Sequence, residues 1–173
     1  MWYLCGLGSN IDPEKNLPRA VVRLAQGFGP VSLSPVIRTA PQGMDSDNSF
    51  LNALAVFYSD LLPDQVKQHL NELEEALGRD RSDPFSGVRD RPIDVDILET
   101  CGSPAFTGCD ITEGYYRQLL AGEPVAGERL SYRGQFLGEA PATIDWYQGA
   151  SHELVVQQGE SLLDHAIKAA LPG

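Results

Sequence analysis

Residues 92 to 98 read Pro-Ile-Asp-Val-Asp-Ile-Leu, which sets two carboxylates two positions apart inside an otherwise apolar run. Side chains alternate between the faces of a strand, so Asp94 and Asp96 are expected side by side on one face, with Ile93, Val95 and Ile97 entering a core. Neighbouring anions repel one another, and oxygen-only ligands on one face suit Mg2+ held through part of its water shell and a substrate phosphate. Arg79, Arg81, Arg89 and Arg91 fall within thirteen residues just upstream, in a chain that has ten arginines. Guanidinium forks match phosphate oxygens two at a time, so arginines beside a metal pair point to phosphoryl or nucleotidyl chemistry. Taken alone, the acid pair reads equally as an exposed polar face of a sheet, and the arginines as a surface loop pairing with the interleaved Asp80, Asp83 and Asp90.

The 173 residues suffice for one domain with a sound core, spanning 1–173, and an apolar content of 42% is ordinary for a soluble protein. A formal net charge of −11 argues against broad binding to nucleic acid or to an anionic membrane, leaving a small phosphate compound as the expected partner. Cys5, Cys101 and Cys109 form neither a disulfide framework nor a zinc spacing, which fits a reducing cytoplasm. The apolar opening Met1 to Cys5 is too short and lacks the basic lead-in of a signal peptide, and no later run has the length of a membrane span. The apolar pattern weakens in the glycine-rich stretch from Gly102 to Gly138.

The elements that must position these groups follow from periodicity. Trp2 to Leu7 reads as a buried strand and Gly8-Ser9-Asn10 as a tight turn. Asp12-Pro13 opens a helix to about Gln26 with Leu17, Val21 and Leu24 on its apolar side. Val31 to Thr39 reads as one extended segment and Phe50 to Tyr58 as an apolar strand. A second helix begins at Leu62-Pro63-Asp64, carries Val66, Leu70, Leu73 and Leu77 as its buried stripe, and stops at Gly78. With the acid-bearing strand, the order is βαββαβ, which predicts a ferredoxin-like α+β sandwich with helices on one face of an antiparallel sheet. Beyond Glu99 a C-terminal extension is expected, with a short helix from Glu113 to Leu120, weak strands and a final helix from Ser161 to Ala170.

Five separated blocks now stand on predicted elements: Gly6-Leu7-Gly8-Ser9-Asn10, Arg38-Thr39-Ala40-Pro41, Phe50-Leu51-Asn52-Ala53, Gly78-Arg79 and Arg91 to Leu98. In this order and spacing the chain resembles the 6-hydroxymethyl-7,8-dihydropterin pyrophosphokinase family, over roughly its first hundred residues. The resemblance implies transfer of pyrophosphate from ATP to a pterin hydroxymethyl in folate biosynthesis, with release of AMP. It also implies two Mg2+ ions on Asp94 and Asp96, a triphosphate-binding Arg91, and Arg79 and Arg81 as catalytic loop arginines. Asn71 and Glu74 would contact ATP from the second helix. Thr39, Ala40 and Gln42 would recognise the pterin edge, Asn52 would hydrogen-bond the ring and Phe50 would stack on it. A monomer binding ATP and hydroxymethyldihydropterin is the implied state.

Considered without the resemblance, Phe50 is a core aromatic, Thr39 a strand former, and Asn52 a buried amide that requires either a ligand or a protein partner. His69, His152 and His165 have no paired spacing and are assigned surface or packing roles. The chain also departs from the family pattern. The Pro-His pair usual after the metal strand is missing, and the nearest comparable stretch, Glu113 to Leu120, offers only Arg117 as an ATP-binding stand-in. The region of about 102–150 reads as diverged or inserted, and the family's frequent tryptophan before the arginine gives way to Val88 and Arg89. Two rivals follow: a paralogue that binds a pterin with altered or lost kinase activity, and a regulatory or interaction domain whose Asp pair is only a polar face.

Overall fold

Leu4, Leu54 and Val56 are apolar and fully or almost fully buried, yet each lies on the opposite sheet face from Tyr3, Cys5, Leu7, Ala53, Ala55 and Phe57. A sheet with apolar residues on both faces must be covered on both, and this one is. The computed structural model describes residues 1–41, 47–85, 90–147 and 153–170. Strand β1 (Trp2–Ser9) lies between β4 (Phe50–Tyr58) and β5 (Asp94–Cys101), and β2 (Val31–Leu33) adds beyond β4. The order continues through β8 (Ala142–Tyr147) to β9 (Glu153–Gln158), giving β5-β1-β4-β2-β8-β9, with β3 (Ile37–Thr39) also paired to β4. All of these pairings are antiparallel.

Helices α1 (Pro13–Phe28) and α2 (Pro63–Ala76) bury the expected stripes, with Leu17, Val21, Leu24, Val66, Leu70, Leu73 and Leu77 all in the main core. Phe28 stacks on Phe57 at 4.4 Å, so α1 runs past Gly27 and ends at Gly29, whose φ of 87° suits only glycine. The opposite face is covered by α3 (Gly114–Ala121) through Tyr116 and Leu119, and by Leu162 and Ala166 at α4 (Asp164–Ala170). The molecule is thus an α+β arrangement of an antiparallel sheet and four helices among the described residues. No helix among them is long and apolar enough to cross a membrane.

Three expectations need correction. Helices occupy both faces rather than one, because β1 and β4 are apolar on both. Gly8 and Ser9 continue β1 in register with Asn52 and Leu51 instead of turning. The segment Val31–Thr39 splits at Ser34-Pro35-Val36, where Val36 leaves the ladder and bonds the far chain, donating to Gly138 O at 2.8 Å and accepting from Glu128 N at 2.7 Å. In the region that reads as diverged or inserted, Leu130 and Leu137 of the hairpin β6 (Leu130–Tyr132) and β7 (Gln135–Leu137), with Ala142 and Ile144, belong to the main core.

Candidate active site

The site grows from the ends of three adjacent strands. On β5, Asp94 and Asp96 face away from the helices α1 and α2 while Ile93 and Val95 are buried beneath them, as the alternation requires. Across the ladder Gly8 pairs with Asp94 and Gly6 with Asp96, and on the other side of β1 Gly8 pairs with Asn52. The two glycines therefore form a floor without side chains between the acids and the amide, open at Gly8 and covered at Gly6 by the Tyr116 ring. A Cβ at Gly8 would meet Asn52 Oδ1 at 2.9 Å, and one at Gly6 would meet the Tyr116 ring at 2.7 Å. Above this floor lies a cleft of about 240 Å³. Arg91, Asp94 and Asp96 line one part of it, Thr39, Ala40, Phe50 and Asn52 another, and Glu113, Tyr115 and Tyr116 come from α3 and its entry.

Asp94 is held by two guanidinium groups. Arg79 Nη1 donates to its Oδ1 at 2.8 Å and Arg91 Nη1 to its Oδ2 at 3.0 Å. Behind them Glu74, only 1% exposed, accepts the Val95 N–H at 2.9 Å and pairs with Arg79 at 3.3 Å and with Arg81. Burial pushes the Glu74 carboxyl above its usual range and Asp94 adds to this, against the Val95 amide, Arg79 and Arg81. Asp96 is also raised, first by the loss of water within the cleft and next by the Asp94 charge, with Lys67 and Arg79 opposing. Asn10 ties the arginine segment to β1: its Oδ1 accepts the Arg91 N–H at 2.7 Å and its Nδ2 donates to Asp90 at 2.9 Å.

Two adjacent carboxylates on one face of β5 form an oxygen-only donor pair suited to Mg2+. Among the described residues no group of three or more His, Cys, Asp or Glu could hold a metal ion, so the rest of a six-ligand shell suits water and phosphate oxygens. The residues present fit a Mg2+ ion that arrives with a phosphorylated substrate.

Of the residues singled out from sequence, Thr39, Ala40, Phe50, Asn52, Arg91, Asp94 and Asp96 converge on this cleft. Arg79 reaches it only through Asp94. Arg81 and Glu74 pair with each other behind β5, and Asn71 is half-buried on α2 away from the lining. Arg117 turns aside and donates to Ile111 O at 2.9 Å, so it does not join the cleft. Gln42 and Arg89 lie outside the described residues. Sequence reasoning missed Asn10, Glu113, Tyr115 and Tyr116. The signal for the last was available in Gly6, since a glycine inside a buried strand marks a close approach by something else.

The family model for 7,8-dihydro-6-hydroxymethylpterin-pyrophosphokinase matches residues 4–112. The chain belongs to this family. A 2-amino-4-hydroxy-6-hydroxymethyldihydropteridine pyrophosphokinase of Porphyromonas gingivalis is 35% identical over 94 residues, covering 53% of this chain and 64% of the relative. One of the same name from Methylorubrum extorquens is 34% identical over 111 residues, 62% of this chain and 65% of the relative. The chain thus spans just under two thirds of the length of these curated relatives. The pyrophosphokinase match takes in β1 through β5 and stops immediately before Glu113, so the wall built by α3 lies outside it.

Proposed function

We propose that this chain transfers the pyrophosphoryl group of ATP to 6-hydroxymethyl-7,8-dihydropterin, releasing AMP, as a step in folate biosynthesis. The observation that carries this reading is the meeting, in one cleft of a pyrophosphokinase-family chain, of Asp94, Asp96 and Arg91 with Asn52, Thr39 and Phe50. The first set suits a metal-bound triphosphate and the second a flat heterocycle with hydrogen-bonding edges. The strand order β5-β1-β4-β2 supports a ferredoxin-like core with a C-terminal extension, the whole acting as one unit of 173 residues. The free thiols of Cys5, Cys101 and Cys109 fit a cytoplasmic setting, and we take the working form to be a monomer.

In this mechanism Asp94 and Asp96 would hold Mg2+, two ions with ATP, and the metal would supply charge neutralisation at the phosphate oxygens. Arg79 and Arg91, now spent on Asp94, exchange that carboxylate for phosphate and stabilise the charge spread over the transferring group. Glu74 keeps Arg79 and Arg81 at the right height behind β5. Asn52 and Ala40 meet the edges of the pterin, Phe50 its face, with Thr39 bracing the Asn52 amide through a 2.6 Å bond. The hydroxymethyl oxygen bonds the β-phosphorus, the bridge to the α-phosphate breaks, AMP leaves and the hydroxyl proton passes to water.

A second reading, pterin binding without efficient transfer, is favoured by Glu113, an acid in the lining of a cleft that must take a triphosphate, while Arg117 points elsewhere. Purified protein incubated with ATP, Mg2+ and hydroxymethyldihydropterin should release AMP, and Asp96→Ala should abolish it. Pterin binding by calorimetry with no AMP formed selects the second reading. Neither binding nor turnover rejects both.

A further inference from the structure

The geometry points to Tyr116 as a positioning residue for the heterocycle end of the cleft: it braces the Asn52 amide so that an acceptor and a donor lie side by side for an amide-like ligand edge. The inference rests on the pterin reading above and deepens it. Tyr116 is 7% exposed and its ring fills the space over Gly6, which has no side chain to exclude it. Its hydroxyl is 3.0 Å from Leu7 O and 3.4 Å from Asn52 Oδ1. The single phenol proton is shared between the two, mainly with Leu7 O and more weakly with Asn52 Oδ1, and an amide oxygen has two lone pairs, so Asn52 Oδ1 is held and still keeps one lone pair for a ligand N–H. On the other side Asn52 Nδ2 gives one hydrogen to Thr39 Oγ1 at 2.6 Å and keeps the second. Asn52, itself 3% exposed, is therefore clamped between two hydroxyls with one lone pair and one N–H to spare. A leftover buried acceptor and donor are costly until a ligand fills them, which favours a lactam edge carrying N–H beside C=O. Burial and the nearby Tyr115, Asp94, Asp96 and Glu113 raise the Tyr116 pKa well above the ordinary phenol value, which keeps the hydroxyl protonated.

The test uses the full chain, with 6-hydroxymethylpterin and a 2,4-diaminopteridine, which lacks the lactam edge, as fluorescent probes. Wild type should prefer the lactam probe. Tyr116→Phe, which keeps the ring, should weaken that probe by roughly 5- to 10-fold, the size of one hydrogen bond, and narrow the preference, leaving affinity for an ATP analogue unchanged. Asn52→Ala combined with Tyr116→Phe should bind no worse than Asn52→Ala alone. Gly6→Ala, which pushes the ring aside without touching Asn52, should reproduce the loss and serves if the Phe variant does not fold. Unaltered affinity and preference in the Phe variant, or additive losses in the double variant, overturn the role of Tyr116 while leaving the pterin reading intact. Wild type that binds neither pteridine removes both.

Discussion

Asp94 and Asp96 are neighbours on β5 with different electrostatic fates. Asp94 has two arginines on its oxygens, whereas Asp96 keeps a raised pKa from desolvation and from Asp94 itself. An acid whose folded-state pKa lies above its unfolded value destabilises the fold once both states are ionised, and the penalty disappears as pH falls below the unfolded value. Asp96→Asn should therefore raise the melting temperature at pH 7 by about 1–2 °C without ligands, the screened size of one surface repulsion. The gain should shrink as pH is lowered and vanish below the ordinary aspartate value of 3.8, while AMP release is lost throughout. Thermal melts across pH 3.5–7 check this. Burial raises the Glu74 carboxyl too, but removing its charge has a separate cost. It is the buried counter-charge of Arg79 and Arg81, so Glu74→Gln keeps an acceptor for Val95 but takes from Arg81 its carboxylate partner and leaves the buried Arg79 with Asp94 alone. The expected cost is about 3 kcal/mol in urea unfolding, the low end for breaking a buried pair because Arg81 is partly exposed.

At the scale of elements, the ladder interrupted at Val36 depends on Gly138. This glycine has φ 102°, and an added Cβ would sit 2.3 Å from Glu128 O, beside the bonds that hold Val36. Gly138→Ala should cost about 2 kcal/mol or more and speed hydrogen exchange at the Val36 amide, since both the strained dihedral and the steric overlap must be relieved by moving backbone. Pro35 is the one local sign of the break, since it has no N–H for a ladder, but nothing local shows where Val36 bonds instead. The residues of Val31–Thr39 favour extended backbone, and the bonds that hold Val36 come from a partner about a hundred residues away. By contrast α1, α2 and the acid strand were legible because each declares its buried face through its own period, and β4 because its apolar run is continuous. The same division runs through the site. Asp94, Asp96 and Arg91 are readable from spacing, and Asn52 from being a polar amide in an apolar strand. Tyr116 and Glu113 are not, because their place is set by where α3 docks on β1 and β4, and Arg117 on the same helix turns away although its residue type looked right.

For the whole molecule, the question is whether residues after the family match complete the fold or decorate it. The pyrophosphokinase match ends at 112, yet Leu130, Leu137, Ile144 and Leu154 are within 6% of full burial in the main core. At about 2 kcal/mol for each buried aliphatic side chain, these four contribute roughly 8 kcal/mol, comparable to the whole net stability of a domain at about 5–15 kcal/mol. Losing them would also free the outer edge of β2, which β8 now pairs, and bare Leu4, Leu54 and Val56 on the face that α3 and α4 cover. An open apolar edge and face favour association over folding. A chain ending at Thr112 should therefore show no cooperative thermal transition by circular dichroism and should bind a hydrophobic dye, although it contains both metal-pair acids and Asn52. A sharp melting transition in that fragment would mean that β1 to β5 fold alone, and that the wall supplied by α3 was added to a site already complete.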